Sequence, residues 1–169
     1  MALLAAAVVA EEKRGTQQGE FFAGVQHVSD GATKAVLGVT LRGGLSRYLT
    51  AYGDYAYSPQ ATYTSVFQGN NLNVSQNLMD YGLGLQVHPS LPRLTPYVLG
   101  GVGGVRAAAK STLLGNTTEV SVNKFAYSLG AGARFHLTRY CGVSLEVRTI
   151  KALDISRMTR VTFGVFFQR

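Results

Sequence analysis

The residues whose types and spacing could do chemistry are His136, Thr138 and Glu146. On an extended strand, side chains two residues apart share a face. His136 would then stand beside the Thr138 hydroxyl as a general base, with Glu146 on the next strand orienting the ring, an arrangement suited to acyl transfer. His27 is a second candidate base, with no obvious nucleophile beside it. Other chemistries find no pattern. The three histidines, His27, His88 and His136, are far apart, and the lone Cys141 excludes an internal disulfide and a cysteine-rich metal site. The Gly100–Gly104 run lacks the Gly-Lys-Ser/Thr and the following helix of a phosphate loop. No metal and no cofactor are expected, and no catalytic residue is assigned.

A second constellation is electrostatic. Arg42, Asp54, Asp80, Arg106, Arg134, Glu146, Arg148 and Arg160, with Glu20, are spaced singly along predicted strands and carry both signs. They suit a paired interior network, or the lining of a selective pore. The formal net charge is +7, but the longest basic cluster is Lys13-Arg14. Nucleic-acid binding needs a concentrated basic stripe, so no nucleic-acid partner is expected.

Strands must position these residues. The 169 residues make one domain. No apolar run approaches the ~18 residues of a membrane helix. Period-two alternation instead recurs eight times, near 20–28, 34–42, 48–57, 76–87, 96–106, 122–137, 143–150 and 158–169. The links after the second, fourth and sixth strands are short. The polar segments 58–74 and 107–119 read as long loops. Such a meander closes on itself and removes its edges. The expected fold is all-β, an eight-stranded antiparallel up-and-down barrel over residues 19–169. Before it come a polar segment, 11–18, and the apolar residues 1–10, which read as the end of a signal peptide that lacks a basic start.

Alternation alone does not say which face is inside. One face is apolar, with Leu37, Leu41, Leu83, Leu99, Leu129 and Val147 among its members; the other carries Gly, Ser, Thr and the charges. A soluble, lipocalin-like carrier would put the apolar face inside. Three features favour the inverse, transmembrane arrangement. The charged face is rich in glycine, which weakens a solvent-facing strand but makes room in a narrow lumen. Tyr48, Tyr140, Phe135, Tyr97, Tyr55 and Tyr57 gather near strand ends, as in an interfacial girdle. Short and long connections also alternate; with both termini in the periplasm, the short turns are periplasmic and the long connections extracellular.

The strings LTPYVLGGVGG (94–104), YSLGAGARFHLTRYCGVSLEVR (127–148) and the terminal VTFGVFFQR resemble the bacterial outer-membrane β-barrel domain family, the small barrels of the outer membrane protein A and X type. That resemblance implies residence in the outer membrane of a Gram-negative-type bacterium, among lipid and lipopolysaccharide. It also implies recognition of the last strand by the barrel-assembly machinery through Gly164 and Phe167, with Arg169 standing where an aromatic is usual. An eight-stranded lumen has room for side chains and little else, so no steady pore is expected. The outer-membrane lipid A deacylases share this barrel, but their His-x-Ser-Asn pattern is missing and His136 precedes a periplasmic-side turn. The expected role is therefore envelope-structural or surface recognition, with segments 58–74 and 107–119, carrying Tyr63, Phe67 and Lys110, as the contact for any extracellular partner.

Overall fold

The computed structural model describes residues 16–169 apart from 30–32, 68–69, 90, 92, 114–115 and 154–156; over 60–67, 70–76, 109–113 and 116–119 it describes the backbone alone. The expected signal peptide over 1–10 lies outside the described residues. Eight strands follow one another: β1 (Gln17–Val28), β2 (Thr33–Gly44), β3 (Leu49–Phe67), β4 (Asn70–Val87), β5 (Leu94–Leu113), β6 (Asn116–His136), β7 (Cys141–Ala152) and β8 (Arg157–Gln168). β1 thus starts inside the stretch read as a polar N-terminal segment. Each strand pairs antiparallel with the next, and β8 pairs back onto β1 from Gln18↔Gln168 to Val28↔Met158, so the sheet is a closed barrel.

β1, β2, β7 and β8 have 12 residues each, enough for a bilayer core that takes about 9–11 tilted residues. The four middle strands are longer. β2 leaves β3 at Leu37↔Tyr57, and β7 leaves β6 at Ala126↔Ala152. β3 and β4 pair on to Phe67↔Asn70, β4 and β5 to Asn73↔Thr112, and β5 and β6 to Leu113↔Asn116. A four-stranded sheet therefore rises past the barrel rim. This corrects the reading of 58–74 and 107–119 as loops. Their amide and hydroxyl residues lack the apolar alternation by which a half-buried strand is recognised. The register of β3 shifts between Ser58 and Ala61, at Pro59, whose missing N–H confines it to bulges and edges.

The side chains decide which face is inside. Outward-facing Phe21, Leu41, Leu83 and Leu129 are strongly exposed, Leu83 to 69 %. An apolar surface this continuous requires lipid around it. Inward, Arg134 and Arg160 are 0 % and 1 % exposed. This is the inverse of a soluble carrier. Tyr48, Phe135, Tyr140 and Phe167 ring the short-turn end, and Tyr55, Tyr81, Phe125 and Tyr127 stand toward the other. Tyr97 is not in the girdle: it and Leu99 point inward and are buried.

A closed barrel of this kind resists unfolding in detergent. Refolded protein loaded unboiled should migrate apart from the boiled sample on a denaturing gel; identical migration would contradict closure.

Candidate functional site

Every strand contributes at least one charge or hydroxyl to the lumen. Glu20 (β1) accepts from Arg42 (β2) at 2.5 Å, and Arg42 approaches Glu146 (β7) at 3.8 Å. Arg148, two residues further along β7, bonds Glu146 at 2.8 Å and Asp54 (β3) at 2.7 Å. Asp54 also accepts from Arg160 (β8) at 2.9 Å, and Arg160 reaches Asp80 (β4) at 2.7 Å. β5 joins through Tyr97, whose hydroxyl donates to Glu146 at 3.0 Å. β6 supplies Arg134, which donates to Gln18. Four arginines thus face four carboxylates, and all of these side chains are buried. An ion taken out of water costs several kcal/mol unless it is paired. Here the charges balance, and every carboxylate has an arginine partner.

Glycine and aromatic residues make room for the guanidinium groups. A methyl built on Gly84 or Gly101 would fall within 2.6 Å of the Tyr52 hydroxyl, and one on Gly132 within 2.6 Å of the Tyr97 ring. Gly38 lies likewise beneath Phe22. Each ring sits against a glycine, and an arginine lies over it: Arg148 over Tyr52 at 5.1 Å, Arg134 over Tyr97 at 5.4 Å and Arg160 over Phe22 at 5.1 Å. These are cation–π distances. The repeating layer is glycine, ring, cation.

Both ends of the network are covered. Toward the protruding sheet, Val105, Ala126, Ile150, Ala152 and Met158 form a buried apolar cluster, with Val28 and Leu78 against it. Toward the short turns, Gln18 bonds Gln168 at 2.8 Å, and Thr50 bonds His88 at 3.1 Å. A pocket of about 20 Å³ beside Asp54, Asp80 and Arg148 has room for about one water.

Seven of the eight charges read from the sequence as interior, Arg42, Asp54, Asp80, Arg134, Glu146, Arg148 and Arg160, lie in the lumen. Arg106 does not. It is exposed and opposes Met79 on β4 and Asn123 on β6, so it faces outward. On β5, Val, Leu and Gly occupy both faces, and the alternation carries no contrast by which to orient the strand. Glu20 is a full member, and its place was legible in the alternation of β1. Tyr52, two residues from Asp54, falls on the interior face by the same alternation, whereas Tyr97 on β5 had no such signal.

Two members of the catalytic arrangement, Thr138 and Glu146, are engaged elsewhere. Thr138 Oγ1 accepts from the Tyr140 and Cys141 backbone N–H groups at 3.2 and 3.1 Å, so it holds the β6–β7 turn. His136 packs edge-on to Phe166 at 5.1 Å, and Glu146 is committed to Arg148 and Tyr97. His27 does have a hydroxyl neighbour the sequence did not reveal: its Nδ1 lies 3.0 Å from Thr33 Oγ1 across the β1–β2 pair. Among the described residues no carboxylate orients that ring.

Comparison with known proteins fits this geometry. The model of the outer membrane protein beta-barrel domain family matches residues 1–167. The chain belongs to this family. It is an outer-membrane β-barrel protein of the Gram-negative envelope. No curated protein matches it. Among solved structures, the barrel resembles the attachment invasion locus protein Ail of Yersinia pestis (14 % identity, 93 % of this chain and 99 % of that one, TM-score 0.67). It also resembles the N-terminal β-barrel domain of Pseudomonas aeruginosa OprF (17 %, 92 % and 98 %, 0.61). The outer membrane enzyme PagL has the same fold (15 %, 87 % and 97 %, 0.53). At such identities the likeness is one of fold. Gly164, which the sequence offered as part of an assembly signal, has a local reason to be glycine: a methyl there would meet Ser144 Oγ at 2.6 Å and the Glu20 carboxylate. Phe167 faces outward at the short-turn rim.

Breaking the network from one side should be costly. Arg148→Met leaves Asp54 and Glu146 short of a partner and should destabilise by about 3–5 kcal/mol. Arg106→Met, on the outer wall, should change stability by no more than about 0.5 kcal/mol. Urea unfolding in lipid vesicles measures both; equal effects would contradict the buried network.

Proposed function

We propose that this outer-membrane barrel is a rigid, non-conducting envelope protein that presents the β3–β6 sheet for recognition at the cell surface. The observation that carries the reading is the rise of four strands past the rim while β1, β2, β7 and β8 stop there. Residues exposed outside a rigid scaffold are free to vary and to bind. Among the described residues, β3 beyond Tyr57 pairs with no residue of β2, and β6 before Phe125 pairs with none of β7, so the backbone groups on those outer sides are open to an added strand. The filled lumen argues against conduction, and the engagement of Thr138 in its own turn and of Glu146 with Arg148 and Tyr97 argues against hydrolysis. The similarity to Ail, whose name records attachment and invasion, is consistent with a surface role. The side chains of Tyr63, Phe67 and Lys110, which the sequence offered as contacts, lie outside those described. In this reading β8, with Gly164 and Phe167, is the strand that the assembly machinery recognises, and lipid and lipopolysaccharide surround the wall.

Replacing residues 59–75 and 108–118 by two-residue turns tests the role. The shortened protein should keep its heat-dependent gel shift, and bacteria displaying it should lose adherence to cultured epithelial cells. Unchanged adherence would sink the recognition role, and steady single-channel current from the intact protein in a planar bilayer would sink the closed lumen.

A further inference from the structure

The outer wall carries a second feature that the surface role does not use. A groove of about 700 Å³ runs over β6, β7 and β8. It is lined by Leu129, Ala131, Val147 and Thr149, with Lys151 and Arg157 at its end nearer the protruding sheet. Ala131 opposes Val147 and Leu129 opposes Thr149, so small residues alternate with large ones and leave a trough between the side chains. Lys151 and Arg157 are directly opposite one another in the β7–β8 register, and both are exposed. Like charges facing each other across an antiparallel pair destabilise the sheet. Among the described residues neither has an ion-pair partner. An anion seated between them would turn the repulsion into two attractions.

We infer that this groove is a seat for a phosphorylated, multiply acylated glycolipid of the surrounding leaflet, with Lys151 and Arg157 on its phosphate and an acyl chain along Val147 and Leu129. The dimensions agree. Val147 lies four residues from Lys151, roughly 13 Å along the strand, which places the trough in the hydrocarbon when the cations are at the headgroups. Tyr127 opposes Lys151 on β6, at the level where an amphipathic ring marks the interface. A second outer groove, of about 550 Å³ over Val39, Leu41, Leu83 and Phe125, has no cation in its lining and would take hydrocarbon without selecting a headgroup. The glycolipid, rather than a phospholipid, follows from the reading that the protruding-sheet end faces outside, on which this inference rests.

The test uses the refolded full chain in non-ionic detergent, titrated with bisphosphorylated lipid A and, separately, with phosphatidylglycerol, with native mass spectrometry reading the retained lipid. One lipid A should be retained. The double variant Lys151→Gln, Arg157→Gln should bind it about thirtyfold more weakly, from two surface cations. The control Arg93→Gln, Arg139→Gln, which removes the same charge at the short-turn end, should bind as the parent does. Undiminished binding in the first variant, equal loss in both, or equal retention of phosphatidylglycerol by the parent would overturn the assignment. Each variant is first checked for the heat-dependent gel shift, so a misfolded barrel is told apart from an empty seat. A cysteine placed at 114–115 and labelled on intact cells reports orientation independently. If it is not labelled while lipid binding stays sensitive to the Lys151 and Arg157 variant, the surface reading fails and the glycolipid assignment with it, and only the phosphate-binding pair stands.

Discussion

Inside a bilayer no water is available to backbone N–H and C=O groups, and each one left unpaired costs several kcal/mol. The rest of this structure depends on that constraint. Strands survive there only if the first meets the last, which β1 and β8 do over eleven consecutive pairs. Closure with eight strands fixes a narrow bore. The bore then dictates what faces it: side chains that fill space and pair their own charges.

The arginines and carboxylates follow from that geometry. A narrow polar interior could be filled with water, but then the charges would be a channel lining. Here they are shared out so that one carboxylate, Asp54, holds two arginines, and one arginine, Arg148, holds two carboxylates. The chain of contacts touches every strand of the barrel. Glycine on one strand leaves room for a ring from the next, and a guanidinium lies over that ring, so two wide groups share a narrow lumen. A wall built this way has little freedom to open, and it leaves change and recognition to the strands that continue above the rim.

Much of this was legible beforehand, and the exceptions have physical causes. Strand number and closure show in the period-two pattern because each spanning strand meets lipid on one side and the lumen on the other. That contrast fails in two places. On β5, glycine and valine occupy both faces, and so Arg106, Leu99 and Tyr97 were assigned to the wrong sides. Above the rim, solvent meets the strands, no apolar alternation is imposed, and polar segments that continue as strand resemble loops. The apparent His136, Thr138 and Glu146 constellation comes from spacing alone: the sixth alternating stretch ends at 137, Thr138 lies in the turn that follows, and there two-residue spacing no longer implies a shared face.

The sequence by itself determined the class: eight alternating strands, an apolar face, a charged and glycine-rich face, and a terminal strand with the family's pattern. It could do so because those features are local, repeating every second residue. Only the tertiary structure decided which arginine meets which carboxylate, that Tyr52 and Tyr97 lie over glycines of neighbouring strands, that His27 touches Thr33, and that Lys151 faces Arg157. Those facts depend on the register between strands distant in sequence, and register is set when the barrel closes and every side chain must fit one lumen at once.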